Sequence, residues 1–405
     1  MKINKWTQVL LGVGLVSIPA VTHAEEQLSQ LRTELTSTTI SGYVDTTATW
    51  KFGDGNANMP GRTYDGADTQ DGFNLNVVSI TFAKPLDESE WAAGYTVQTL
   101  MGPGAVKRGT RSIAGGPGGD FAFNEAVVLL RVPVGNGIDF KVGQFGTYNG
   151  YEAYDTYKNP NWSRSYGFFI ESSAHTGVSA TYKLCDTVTI MGGVGNMAGF
   201  NNAVDAKYNA ALSESEKAYL GMITFTAPES FGALKGASLS AGYTGGAQGA
   251  ATSWWQENYY VGMSLPTPIS GLAVGLAFDY TTGMQYDHSY AESIAAYLSF
   301  QVTEKLKLNT RADWAKGNNG SAVGGYHGAF GYTSATDDKN ELFSVTCTAD
   351  YALWKNVISR LEFRWDTALT DDAPFGGTAA APGGTALLTG DESAVSLTAN
   401  FIYQF

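Results

Sequence analysis

Hydrophobic and polar positions alternate along much of this chain. In residues 306–314, LKLNTRADW, one parity carries Leu306, Leu308, Thr310, Ala312 and Trp314, and the other Lys307, Asn309, Arg311 and Asp313. Residues 358–366, ISRLEFRWD, repeat the arrangement, with Leu361, Phe363 and Trp365 on one side and Arg360, Glu362, Arg364 and Asp366 on the other. A β-strand sends successive side chains to opposite faces, so each segment reads as a strand with one greasy and one charged face. Sixteen such segments are expected, near residues 38–52, 73–84, 91–101, 121–132, 138–147, 176–184, 187–196, 218–227, 236–244, 256–265, 272–282, 289–301, 305–316, 342–352, 357–366 and 393–405. A soluble sandwich would alternate in the same way, but many of these segments reach the nine to eleven residues that a tilted membrane strand needs.

The connections separate the two readings further. Short ones contain PLDESE, PVGNG, LCD, PESFGALKG, PTPISG, TEK and LWKN; most of the others are long and rich in Gly, Asn, Asp and Ser. Tight turns at one end and long loops at the other predict an all-β, antiparallel up-and-down transmembrane barrel with periplasmic turns and external loops. Closure requires an even count, here 16; a count of 14 or 18 would need only one hairpin read differently. The final segment, SAVSLTANFIYQF, puts Val395, Leu397, Ala399, Phe401, Tyr403 and Phe405 on one face and ends on an aromatic residue. It resembles the terminal strand that outer-membrane assembly machinery recognises, which makes that machinery an expected partner through Phe405, alongside outer-membrane lipid.

The first 24 residues carry Lys2 and Lys5, an apolar centre from Val9 to Ile18 and a Thr22-His23-Ala24 cleavage site, the pattern of a secretory signal. Residues 25–37 hold Leu28, Leu31 and Leu35 at helical spacing, and residues 38–405 form the barrel. Without Lys2 and Lys5 the chain has 23 basic against 38 acidic side chains, a formal charge of −15. That balance argues against a nucleic-acid partner, which needs basic residues for counterion release. Cys185 and Cys347 fall in a turn and a strand, so no disulfide framework is indicated. No metal or cofactor is expected, since Cys and His do not occur at ligand spacing. The acid pairs Asp337-Asp338 and Asp371-Asp372 read as solvated loop charge, with calcium the sharper alternative.

From Glu125 to Asn196 the chain reads as a strand, a turn, then KVGQFGTYNGYE, NPNWSRSY and HTGVSATY. This stretch of roughly 70 residues resembles the beta-barrel porin-2, or OmpL-like, family; the rest agrees mainly in barrel layout. The resemblance implies a channel for small hydrophilic solutes in the bacterial outer membrane, and it carries over no binding residue.

If the greasy parity meets lipid, the other parity lines the lumen with Asp45, Glu125, Arg131, Lys141, Lys307, Asp313, Glu362 and Asp366. The third long connection, 148–175, occupies the position of the loop that folds inward in 16-stranded porins. Folded so, Glu152 and Asp155 would face Arg311, Arg360 and Arg364 across a constriction, and the opposed charges would order water and dipolar solutes in transit. Tyr148, Tyr151, Tyr154 and Tyr157 recur every third residue and would share one face of a helical turn. With Trp162 they are candidate contacts for a sugar-preferring channel; rings wedged against the wall are the alternative. Pro160 would end such a turn and bias Asn159 towards an extended form.

The competing class is an outer-membrane hydrolase. Neither a GxSxG elbow nor an HExxH helix is present. His175, His288 and His327 read as solvated loop or strand-end residues rather than catalytic bases. No catalytic residue is assigned. A homotrimer is a further expectation, with the small outward residues Gly42, Thr46 and Ala48 allowing close packing.

Overall fold

Sixteen antiparallel strands follow one another around a closed barrel. The structure is a computed structural model, and it describes residues 37–53, 59, 61–62, 71–107, 120–198, 217–247, 255–283, 289–318, 340–370, 374–375 and 391–405. The strands are β1 (Thr39–Phe52), β2 (Gly72–Lys84), β3 (Ala93–Met101), β4 (Phe121–Val132), β5 (Ile138–Gly146), β6 (Ala174–Lys183), β7 (Val188–Gly195) and β8 (Ala218–Thr226). They continue as β9 (Ser238–Ala247), β10 (Trp255–Pro266), β11 (Leu272–Thr282), β12 (Tyr290–Gln301), β13 (Leu306–Gly317), β14 (Asn340–Tyr351), β15 (Val357–Ala368) and β16 (Ser393–Gln404). Each expected segment lies within three residues of an observed strand. The leucines at 28, 31 and 35 lie outside the described residues.

Closure is made by β1 and β16, paired from Tyr43 opposite Gln404 to Phe52 opposite Val395. Phe405 extends that seam: its N–H donates to Gly42 O, and Gly42 N–H donates to Phe405 O. No edge strand remains, so every strand finds its backbone partners without water.

Side-chain parity follows from closure. Leu308, Leu361, Phe363, Val261 and Leu276 point outward and stay exposed, while Asn309, Arg311, Asp313, Glu362, Arg364 and Asp366 point inward and are buried. An outward apolar face against lipid and an inward polar face is the arrangement that membrane barrels require.

Two bulges adjust the inner wall. Asn76 is skipped where β1 and β2 pair Asp45 with Val77 and Thr46 with Leu75, and its amide donates to Asp45 Oδ1 at 2.9 Å. Asn124 is skipped in the same way between β3 and β4 and donates to Gln98 Oε1 at 2.6 Å. An extra residue in one strand re-aims a side chain, here bringing an amide to a polar partner inside the barrel.

Gly42, Thr46 and Ala48 face outward as the alternation requires. The space above Gly42 is filled by the chain itself, because a Cβ there would lie 2.6 Å from Phe405 Cζ. The small residue therefore seats the terminal ring and leaves no groove for a neighbour. Cys347 is free and exposed on β14, and Cys185 is free and exposed in the turn before β7.

Val261, midway along β10, is 45% exposed on the outer face. Val261→Arg is expected to cost about 2–4 kcal/mol of barrel stability in lipid vesicles. Reversible urea unfolding in vesicles measures it.

Candidate functional site

The connection from β5 to β6, residues 147–173, turns into the barrel instead of rising from it. Its backbone and side chains bond to strands on nearly every side of the lumen. Only two short helical pieces interrupt it, a 3-10 turn at Thr156–Lys158 and helix α2 (Tyr166–Ile170); a separate short helix, α1 (Pro103–Lys107), follows β3. Ser165 caps α2, its Oγ accepting from Phe168 N–H.

The strongest grip is on β13–β15. Arg311 donates through Nη1 to Glu152 Oε1 at 2.9 Å and to Ser163 O at 2.7 Å, and through Nε to Asp313 at 2.7 Å. Its Nη2 reaches Arg164 O at 3.0 Å. Glu152 closes the loop on itself by accepting from Ser165 N–H at 2.7 Å. Glu362 accepts the successive backbone N–H groups of Trp162 and Ser163 at 2.6 and 2.9 Å, one on each oxygen. Arg364 binds Asp366 and also Arg164 O, and Tyr166 donates to Asp366 at 2.6 Å. Arg62, from the β1–β2 connection, completes the set with Asp366 at 2.9 Å.

Charge in this cluster balances. Arg62, Arg164, Arg311 and Arg364 face Glu152, Asp313, Glu362 and Asp366, and the side chains in its ion pairs are at most 1% exposed. Isolated buried charges would be prohibitive, and ion pairing backed by hydrogen bonds is what permits them. On the loop-end side, Tyr166 and Ile170 pack with Ala291, Ala315, Leu342, Phe375 and Ala394 and seal the cluster from above.

The sequence expectation places Asp155 opposite the arginines, and the structure corrects this. Asp155 accepts from Tyr43 Oη at 3.1 Å, Gln98 Nε2 at 2.8 Å and Lys158 Nζ at 2.7 Å, on the β1–β3 side. Arg360 meets the loop backbone instead, at Thr156 O and Asn159 O, and pairs with Asp350. The segment runs along the wall between them, so two acids three residues apart reach strands four to six apart in the barrel.

The tyrosines share no face, because the segment forms no continuous helix; each ring lies against the protein, the wall-wedging alternative. Tyr148 donates to Ser179 on β6, Tyr151 stacks on Tyr297 of β12 at 4.2 Å, Tyr154 donates to Gly104 O in α1, and Tyr157 packs edge-on against Tyr43 at 5.1 Å. Asn159 is extended, with ψ of 151°, as Pro160 requires. Trp162 is buried beside the Glu362 anchor. His175 stands at the start of β6, as expected, but is fully buried and not solvated, its Nδ1 3.2 Å from Met197 O. His288, His327 and the acid pairs 337–338 and 371–372 lie outside the described residues.

The other inward charges sit away from the cluster. Asp45 accepts from Asn76 and Asn400. Lys141 pairs with Glu125 at 2.6 Å, and Arg131 with Asp139 at 2.7 Å, all four partly exposed. Beyond them the inner wall carries Met191, Thr224 and Ser240, none charged and none fully buried. The segment's buried charge cluster thus lies against β13–β15, while the inward charges of β4 and β5 stay partly exposed. Among the described residues, no group of three or more Cys, His, Asp or Glu is placed to hold a metal.

Two partners went unread in the sequence. Asn149 donates to Asn258 Oδ1 at 2.7 Å and carries no pattern that distinguishes it from a surface loop residue. Asp279 shares the inward parity of β11 and was open to the same alternation argument that found Asp313. It lies beside Glu171, at the end of α2. Burial first, then the neighbouring carboxylates Asp279 and Glu152, push the Glu171 carboxyl well above the usual carboxylate range.

Comparison with known proteins agrees with this architecture. A family model described as "Putative beta-barrel porin-2, OmpL-like" matches residues 37–405. Among curated proteins no sequence matches. The anion-selective porin from Comamonas acidovorans is similar in structure, with a TM-score of 0.56, 12% identity, and 91% of this chain and 99% of that one covered. OprB of Pseudomonas putida aligns with a TM-score of 0.55 and 11% identity over 94% and 97% of the two chains. The trimer form of OmpT, an outer membrane protein of Vibrio cholerae, gives 0.55 and 11% over 91% and 99%. At these identities the likeness concerns the fold alone.

Two outcomes follow from the anchoring. Arg311→Ala strands Glu152 and Asp313 without their cation and is expected to cost about 3–5 kcal/mol, read as a lower urea midpoint. Glu171 keeps its proton in the folded state at pH values where the unfolded chain has lost it. Its contribution is thus full in acid and is lost as pH rises through its raised folded value. Glu171→Gln should flatten the pH dependence of the unfolding midpoint on the alkaline side; an unchanged profile would mean the carboxyl plays no part.

Proposed function

The chain belongs to the beta-barrel porin-2, OmpL-like family of the bacterial outer membrane, and from that premise we propose that it is a passive diffusion channel for small hydrophilic solutes, narrowed by segment 147–173. The observation that carries this reading is a segment folded into the lumen beside inward charges that stay partly exposed. The segment is clamped to β13–β15 by a neutral, buried charge cluster, while β4 and β5 keep partly exposed ion pairs on the inner wall.

Transport then needs no covalent step. A hydrated solute crosses along β4 and β5, past the Glu125–Lys141 and Arg131–Asp139 pairs, whose side chains stay partly exposed. Exposed charges can act on a passing ion, whereas Glu152, Arg311 and Arg364 are buried and bonded to the protein. Their proposed role is to fix the width of the constriction. Selectivity falls to the solvated pairs and to Lys158, which is 52% exposed at the segment's free edge.

The short turns would face the periplasm and the long connections the exterior, as in other barrels of this type. Phe405, seated on Gly42 at the closing seam, would present the terminal strand to the assembly machinery. A homotrimer is proposed from the trimer form of the Vibrio cholerae relative. The hydrolase alternative gains no support from His175, the one histidine among the described residues, which lies buried against a backbone carbonyl.

Reconstituted, heat-modifiable protein is expected to give discrete conductance steps in planar bilayers. Lys141→Gln together with Glu125→Gln should shift the reversal potential in a salt gradient more than Glu152→Gln does. Folded protein without conductance would overturn the channel; a larger shift from Glu152→Gln would move the filter back to the cluster.

A further inference from the structure

On the turn side of segment 147–173 lies a chamber of about 530 Å³, bounded by the segment on one side and by β9–β15 on the other. We infer that this chamber is a binding station for a small hydroxylated carboxylate of sugar-acid size, with Lys307 as its anchoring cation. Its volume falls within the range of small-molecule sites, about 300–1,000 Å³.

Charge in the chamber is lopsided. Three cations line it, Lys158, Lys307 and Arg360, against one carboxylate, Asp350. Asp350 is held by Arg360 at 3.2 Å, and Arg360 also donates through Nη1 to Thr156 O and through Nη2 to Asn159 O. Lys158 is paired with Asp155 behind it. Lys307 points inward opposite Asp350 on β14, yet makes no ion pair or hydrogen bond with any described residue. It is the cation left over once every other charge in the chamber is matched.

A second donor points to the same ligand chemistry. Asn309, two residues further along β13 and also lining the chamber, uses its carbonyl to accept from Ser299 at 2.7 Å, while its Nδ2 has no partner. An ammonium and an unpartnered amide N–H₂ on one strand face call for an acceptor, and a carboxylate supplies two oxygens. The rest of the lining sets the body of the ligand. Ser238, Ser264 and Ser299 offer hydroxyls, whereas Tyr151 and Tyr297 already stack on each other and present edges rather than an open face. A hydroxylated skeleton matches that surface better than a flat ring.

Such a station would retain anions inside a chain whose overall charge is strongly negative, because local unpaired charge, and not the total, decides what is held at close range. It rests on the channel reading only for how the solute arrives and leaves, so the test reads binding separately from transport. Gluconate and glucose serve as probes, matched in size and differing in the carboxylate. With the full folded barrel in detergent, saturation-transfer NMR should show gluconate binding and glucose binding at least about tenfold more weakly. Lys307→Gln should lose that preference and Lys307→Arg should keep most of it, each variant checked for heat-modifiable migration. In bilayers, gluconate added on the turn side should produce current block that Lys307→Gln relieves. Equal binding of the two probes, or an unchanged preference in Lys307→Gln, would overturn the station. Binding without conductance would overturn the channel and leave the station standing.

Discussion

Hydrocarbon offers no hydrogen bonds, and that single constraint governs this molecule. Each unpaired backbone group in lipid would cost several kcal/mol, so a β-structure there must close on itself. The β1–β16 seam, extended by the reciprocal bonds of Gly42 and Phe405, meets that requirement. Once the sheet is closed, the two side-chain parities are no longer equivalent. One must be apolar, as Leu308, Leu361 and Phe363 are; the other is free to carry charge, provided that water or a partner satisfies it.

The interior uses both solutions, and the division between them shapes the lumen. Along β4 and β5, Glu125, Lys141, Arg131 and Asp139 stay partly exposed to solvent. Along β13–β15, the protein itself replaces water. Segment 147–173 brings backbone carbonyls to Arg311, Arg360 and Arg364 and backbone amides to Glu362. The buried charges thus depend on the segment, and the segment's path depends on the charges. Each supplies the other's hydrogen-bond partners, which makes the inward fold a joint property of both and not a loop preference.

This mutual dependence separates charges by role. A guanidinium with all its donors committed to protein atoms holds geometry, and a lysine with none committed can meet a solute. Arg311 and Lys307 sit four residues apart on one strand face and fall on opposite sides of that line. Proximity to a channel axis says less about selectivity than the count of hydrogen bonds still open.

Alternation along segments such as 306–314 and 358–366 was enough to determine the strands, their inward and outward faces and the barrel, because a period of two is a local property enforced by lipid on one side. The same period of two places Arg311, Asp313, Glu362 and Asp366 inward, and Asp279 and Asp350 with them. It could not say which inward charges are solvated and which are buried, since that depends on a segment distant in sequence. Nor could the spacing of four tyrosines reveal their destinations: regular spacing implies a shared face only if the backbone is helical, and here it is extended before Pro160 and pulled to several walls. Only the tertiary structure assigned Glu152 to Arg311 and Asp155 to Tyr43 and Gln98, because a segment running along the inner wall meets partners set by the barrel's curvature and not by its own sequence.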